Sequence, residues 1–373
     1  MTDWKKIRAE FPALENWIFL NTATFGQLPK RATEAVACHF ARRDRYACSD
    51  FMGWFEDADS VRATIARLIH AAADDIAFIP NACTGLSLMM GGMDWKPGDR
   101  IVTLEDEFPN HYYYPGYLAA QGVEFIETPF ERFYDAINQR TRLVALSMVN
   151  YSTGFRPPLE EISGFLRERG VMLYLDGTQG LGALQLDISA IRPAMLSVDG
   201  YKWLLAPTGG GFIYVDSELR RHLRPNIIGW RSHRDWRNHE NLHHGTPEFG
   251  TEAEKYEGGM LSFGPIYGMA ASVEMMLEIG PEVIDERVMQ LAGSVRDILR
   301  RAGGVLRADS DSLYISPVVT ARFEEKDAGV LAHELKSRKV LVAARHGNLR
   351  VSPHFYNDET DLERFEAALK QVL

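Results

Sequence analysis

Seven short apolar runs punctuate the first two thirds of the chain: IAFIP (76–80), RIVTLE (100–105), VEFIETP (123–129), RLVALSMV (142–149), VMLYLD (171–176), MLSVDG (195–200) and GGFIYV (210–215). Between them lie segments with helical spacing, such as GLSLMMGGM, YYPGYLAAQG and LEEISGFLRERG. Strands that are apolar on both faces and joined through helices predict a mostly parallel sheet covered on both sides. The last run follows its predecessor too closely for a helical crossover, so an antiparallel neighbour is expected there.

After about residue 265 the texture changes. A long helical pattern, interrupted near Gly280-Pro281, leads into SLYISPVVTARF, another helix, KVLVAARHGNLRVSPHFY and a final helix. This predicts an α/β architecture in two parts. Residues 20–265 form a large domain, and residues 1–19 with 266–373 form a smaller one. The stretch WIFLNTATFGQLP is compatible with either part.

The 373 residues are 46% hydrophobic, ample for such cores, and carry a formal charge of −10 without any long basic run. Nucleic acid and anionic membrane are bound mainly through clustered Lys and Arg, so neither is an expected partner. The amino-terminal residues lack an apolar signal core, and no apolar stretch approaches a membrane span. Three cysteines, Cys38, Cys48 and Cys83, make neither a disulfide framework nor a zinc pattern. A cytoplasmic location is the expectation.

In open parallel sheets, ligands sit beyond the carboxyl ends of the strands. The segments found there are NACTGLS, DEFPNH, NYSTG, DGTQG and GYKW. Asp176 ends an apolar run, where a carboxylate is costly unless a cation meets it; it serves either as a helix or turn cap or as partner to a pyridinium nitrogen. Lys202, flanked by Tyr201 and Trp203, is either solvated or poised for an aldehyde. Pyridoxal phosphate answers to both groups at once. Cys83 and Thr84 fall at a predicted helix N-terminus, suited to phosphate or to plain capping. Phe108 is either core or a ring that stacks on a cofactor. Arg345 and Arg350, near the carboxyl end, either form structural salt bridges or bind a carboxylate bidentately.

Two competing motifs fall away. GTQGLGAL follows a strand but lacks G-x-G-x-x-G. His233, His239, His243 and His244 crowd a polar stretch without the H-E-x-x-H arrangement, so no metal site is expected.

Taken together, YLDGTQ, DGYKWLLAPTGGGFIYV and LRVSPHFYN stand in the order that resembles fold-type I pyridoxal phosphate enzymes. They are closest to the class V aminotransferase group, which includes cysteine desulfurases, kynureninases and isopenicillin N epimerase-like proteins. The resemblance runs from FLNTATFGQLP onward. It implies a seven-stranded large domain, a homodimer and an amino-acid or amine substrate. It also implies roles. Lys202 is the Schiff-base lysine, and Asp176 pairs with the ring nitrogen. Phe108 and Thr178 flank the ring, while Gln179 reaches its phenolic oxygen. Cys83 and Thr84 offer donors to the phosphate, and Arg345, slightly favoured over Arg350, takes the substrate carboxylate.

Four positions depart from the family pattern. Tyr201 replaces a His before the lysine, and Tyr151 replaces an Asn near the phenolic oxygen. Met260 replaces a Thr that reaches the partner's phosphate, with Ser262 the nearby substitute. Asp199 replaces a phosphate-binding Ser and is expected to point away. The reaction expected is transamination, with a kynureninase-like lyase or an epimerase as the alternative and a non-catalytic cofactor-binding protein behind them. A desulfurase is disfavoured, because no cysteine lies near the carboxyl-terminal arginines.

Overall fold

The computed structural model describes residues 2–238, 240, 245–307 and 311–373. The first part runs α1 (Trp4–Arg8), β1 (Ile18–Phe19), α2 (Lys30–Tyr46), α3 (Phe51–Ile69), β2 (Ile76–Ile79), α4 (Ala82–Gly92), β3 (Arg100–Leu104), α5 (Asn110–Leu118), β4 (Glu124–Thr128), α6 (Phe133–Ala136), β5 (Thr141–Ser147), α7 (Leu159–Arg167), β6 (Met172–Asp176), α8 (Ile188–Ile191), β7 (Met195–Asp199), β8 (Gly211–Val215) and α9 (Ser217–His222). The second continues through α10 (Phe263–Ile279), α11 (Pro281–Arg301), β9 (Val305–Leu306), β10 (Val319–Arg322), α12 (Ala328–Ser337), β11 (Val340–Leu341), β12 (Ala343–Arg345), β13 (Asn348–Val351) and α13 (Glu359–Val372).

All seven apolar runs are strands of one sheet, in the order β2-β8-β7-β6-β5-β3-β4. Their nearly continuous burial is that of strands covered on both faces. Strand β8 runs antiparallel to both of its neighbours, β7 and β2, because the link from Asp199 to Gly211 holds no crossover helix. The carboxyl ends of β2, β3, β5, β6 and β7 therefore open onto one edge, and that edge carries the site.

A second core gathers α11, α12 and α13 around the four-stranded sheet β12-β13-β10-β9, with Leu299, Leu331, Val351 and Phe365 at its centre. Helix α10 packs instead into the main core, through Met269, Val273 and Met276. The break read at Gly280-Pro281 is real: Gly280 adopts φ +100°, and Pro281 opens α11 at a position where its missing N–H costs nothing. The segment after β1 ties the two cores together. Strand β1 pairs in parallel with β11, Thr22 N donates to Ser352 O, and Gly26 N donates to Tyr201 O. A Cβ at Gly26 would lie 1.9 Å from Lys202 O, so only glycine lets this segment close over the lysine backbone.

Candidate active site

Asp176 ends β6 and is buried. Its Oδ1 accepts a hydrogen bond from Thr178 N at 2.9 Å, an Asx-type brace that aims the carboxylate out of the sheet edge. Behind it stands His111, fully buried on α5, with Nε2 3.8 Å from Asp176 Oδ2 and Nδ1 3.7 Å from Glu107 Oε2. Glu107 is itself held by Ser147, whose N donates to Oε1 at 2.8 Å and whose hydroxyl donates to Oε2. Burial opposes charge on the imidazole, yet Glu107 and Asp176 carry its pKa above the ordinary histidine value. Burial likewise pushes Asp176 up, but His111 and Thr178 hold it below the usual carboxylate range. Neither His111 nor Glu107 was among the expected site residues. Their signal was the i, i+4 spacing in EFPNH, which puts the two on one side of the turn leading into α5.

Lys202 is only 7% exposed. Burial lowers its pKa from the ordinary lysine value, against the pull of Asp176 and Asp199. Its Nζ lies 5.5 Å from the ring centres of both Phe108 and Tyr201. Phe108 is partly exposed and meets Tyr151 edge-on, with ring centres 5.3 Å apart. Tyr201 packs on Phe25 at 4.9 Å, and burial pushes its hydroxyl pKa up to about 12. Past the lysine, Trp203 is anchored twice. Its indole N–H donates to Gln179 Oε1 at 2.9 Å, and its carbonyl meets His354 Nε2 at 2.9 Å. His354 is fully buried and burial drops its pKa to about 3, so it stays neutral and donates.

Several expected residues are engaged differently from the expectation. Gln179 uses one amide N–H on Ala23 O at 3.0 Å and its oxygen accepts from Trp203, leaving its second N–H as the free donor for a ligand. Tyr151 Oη pairs with His346 Nε2 at 2.9 Å. Thr178 Oγ1 accepts from Asp199 N at 3.0 Å. At α4 the cap is Asn81, whose Oδ1 accepts from Thr84 N and Thr84 Oγ1 at 3.0 and 3.1 Å; Cys83 is exposed beside it. Asp199 does not point away. Its Oδ1 accepts from Ala82 N at 2.7 Å, on the first turn of α4. Met260 is exposed.

The two arginines separate clearly. Arg345 is half-buried, and its Nη1 donates to Ala344 O at 2.7 Å. Arg350 is 1% exposed, donates to Tyr151 O at 2.7 Å and to Thr24 Oγ1, and leaves Nε buried without a hydrogen bond. Burial, and then Arg345, lower its pKa to about 9. A buried guanidinium with neutral oxygens for partners is a place that lacks an anion. The slight preference for Arg345 is therefore reversed.

The expected cofactor makes three demands on these side chains. An aldehyde needs a buried, readily deprotonated amine, and Lys202 provides it. A ring nitrogen needs a fixed anion, and Asp176 provides it. A phosphate needs free donors at a helix N-terminus, and there Asp199 competes. Among the described residues no cluster of His, Cys, Asp and Glu suits a metal. His239, His243 and His244 lie outside the described residues.

The class-V aminotransferase family matches residues 48–365. The chain is 22% identical to a probable cysteine desulfurase of Methanothermobacter thermautotrophicus, covering 98% of this chain and 97% of the relative. It is 28% identical to the isopenicillin N epimerase of Amycolatopsis lactamdurans, covering 100% and 99%. In three dimensions it is similar to a C-DES mutant carrying glycine covalently linked to its PLP cofactor (TM-score 0.89, 21% identity, 99% of each chain). It is equally similar to the apo cysteine desulfurase of Thermococcus onnurineus NA1 (TM-score 0.89, 20% identity, 100% and 98%). The chain belongs to the class-V aminotransferase family, and pyridoxal phosphate is its cofactor.

Proposed function

We propose that this protein works at the α-carbon of a small amino acid or amine, with transamination as its reaction. The observation that carries this reading is the pairing of a buried amine, Lys202, with a buried cation, Arg350, that lacks an anion; the two are near enough for Arg350 to depress the lysine's pKa. An α-amino acid offers a carboxylate to the one and an amine for exchange at the other.

Pyridoxal phosphate, when bound, supplies an aldehyde for amines and a protonated ring that draws electron density from the α-carbon. Lys202 is the residue for the aldehyde. As a free amine its Nζ takes the proton from the α-carbon and delivers it to another atom, and burial keeps its pKa nearer the working pH than that of an exposed lysine. Asp176 holds the proton on the ring nitrogen by a charge-assisted hydrogen bond, and His111 keeps that carboxylate anionic. Phe108, with its ring centre 5.5 Å from Lys202 Nζ, is the residue that would flank the cofactor ring. The Nε–H and remaining Nη hydrogens of Arg350 orient the substrate carboxylate. Cys83 and Thr84 lie where the phosphate is expected, at the head of α4.

A desulfurase is supported less well, since Arg345 to Asn357 contains no cysteine. An epimerase is the second reading, favoured by the full-length relative at 28% identity. The deciding measurement follows amino donors with an α-keto acid acceptor, and in parallel follows α-deuterium uptake from heavy water. Keto-acid formation supports transamination. Deuterium uptake with loss of optical purity and no keto acid supports epimerisation.

The same reading takes residues 20–265 as the cofactor-binding part, with α10 added to it by its packing, and 1–19 with the rest of 266–373 as the smaller part. It takes the protein as a cytoplasmic homodimer, with Ile227, Ile228 and Met260 as exposed apolar side chains for the subunit contact. No helix among the described residues is long and apolar enough to cross a membrane.

A further inference from the structure

Asp199 stands in the way of the phosphate. It ends β7, and its Oδ1 takes the N–H of Ala82 at 2.7 Å. The approach of α4 to β7 is close: a Cβ at Gly85 would lie 2.0 Å from Ser197 Oγ. The carboxyl group is thus held at the head of the helix by the Ala82 N–H, beside a helix packed tightly on β7. Its own backbone is fixed by Thr178 Oγ1 on one side and by pairing with Gly211 on the other.

The groups around it leave little to neutralise a second anion. From β6 come Asp176 and the Tyr174 hydroxyl, which donates to Ala82 O at 3.4 Å. From the turn after β7 come Tyr201 and Lys202, and from α4 the Cys83 thiol. Lys202 is the single cation of this set, and it is committed to the aldehyde. A phosphate monoester brings about −1.5 to −2 charges at pH 7. A helix N-terminus offers roughly half a positive charge. Two anions sharing one such terminus cannot both stay ionised at low cost.

We propose that Asp199 takes up one proton from solvent when the cofactor's phosphate binds, so that Oδ1 still accepts from Ala82 N while the protonated Oδ2 donates a hydrogen bond to a phosphate oxygen. No other bond forms or breaks. Cofactor retention in this protein is then favoured by acid. Burial, and after it Asp176, already raise the free carboxyl to about pKa 6, and the phosphate's own charge beside it raises it further, past neutral pH. The inference rests on the phosphate lying at the head of α4, as proposed above.

The test uses the apo protein and two ligands, pyridoxal 5′-phosphate and pyridoxal, which lacks the phosphate. Dissociation constants are measured between pH 6 and 8 for the native chain and for Asp199→Asn. For pyridoxal phosphate, the ratio of native to variant dissociation constants is expected to rise with pH, approaching about tenfold per unit, the slope of one linked proton, once the free carboxyl is ionised above pH 7. For pyridoxal the ratio should stay flat. Calorimetry of the native chain at pH 7.5 in buffers of different ionisation enthalpy should show close to one more proton taken up with pyridoxal phosphate than with pyridoxal; this reading needs no variant to fold. A flat ratio for pyridoxal phosphate, with pyridoxal still bound far more weakly, overturns the protonation while leaving the phosphate at α4. Equal behaviour of the two ligands overturns both.

Discussion

The Nε2 atom of His111 lies 3.8 Å from Asp176 Oδ2, inside a fully buried row that continues to Glu107 at 3.7 Å. An imidazole whose pKa Glu107 and Asp176 raise holds the Asp176 carboxylate ionised in a place where burial alone would protonate it. His111→Phe should therefore raise the pKa of Asp176 and weaken its hold on the ring nitrogen. Loss of a charge-assisted hydrogen bond costs about 1.5–3 kcal/mol, which is roughly a 10- to 100-fold fall in kcat. A purely structural role would lower the amount of folded protein without moving the pH profile of the bound cofactor's absorbance. The expected profile has its acid limb displaced to higher pH, and an unmoved limb would count against the relay.

Lys202 is the nucleophile in this scheme, so borohydride treatment of the holoenzyme should leave its label on the peptide carrying residue 202. Lys202→Ala should abolish the label and cut turnover by about 10²–10⁴-fold, the range for losing a positioned proton carrier. The variant should still bind the cofactor, since Asp176 and Phe108 are untouched. Label on a different lysine would remove the basis of the proposed function.

The edge of the sheet that bears the site was legible in the sequence because hydrophobic runs mark buried strands, and a parallel sheet sends their carboxyl ends to one side. Asp176 and Lys202 emerge from that rule alone. What escaped is contact geometry. EFPNH spells out Glu107 and His111, but nothing in the string says that β5 lies alongside to supply Ser147, or that Asp176 sits behind the imidazole. Asp199 was misread for a related reason. Its side chain is drawn to the Ala82 N–H, an attraction that depends on how closely α4 meets β7 and is not written in the sequence. The resemblance alone slightly favours Arg345, whereas burial and hydrogen-bond partners set Arg350 apart.

Arg350 should bind the substrate carboxylate. Arg350→Lys keeps a charge but loses the planar fork. It should raise KM for an amino acid about 10- to 100-fold while leaving an amine of similar size without a carboxylate nearly unaffected. Arg345→Lys should change either value less than about threefold, as expected for a partly exposed charge. Steady-state kinetics with matched amino-acid and amine donors decide it, and equal losses on both donors would reassign Arg350 to a structural part.

Far from the site, Glu257 holds together a buried cluster. It pairs with Arg62 and, at 2.8 Å, with Arg231, while Phe78 N donates to it at 2.7 Å. Both arginines are almost fully buried. Removing the shared anion leaves two buried cations to Glu254 and the more exposed Asp59, so Glu257→Ala should destabilise the fold by about 3 kcal/mol. Denaturant unfolding would read this directly. A loss below about 1 kcal/mol would mean that Glu254, also paired with Arg231, carries the cluster instead.

Asp199 makes a prediction that involves no cofactor. Its pKa in the folded chain is about 6, above the ordinary 3.8, because burial and Asp176 disfavour the anion. A carboxyl with a raised folded value contributes stability that is fully present below pH 3.8 and is lost as the pH climbs through 6. The apo protein thus carries at pH 7 a cost that Asp199→Asn removes. The gap of about two units corresponds to roughly 3 kcal/mol at most, and water reaching this partly exposed group reduces it to about 1–2 kcal/mol. The variant's melting temperature should match the native value near pH 4 and exceed it by several degrees at pH 7 to 8. If the two melting curves keep the same separation across that range, Asp199 ionises freely at the head of α4, and the helix N-terminus is a stronger anion site than its neighbours imply.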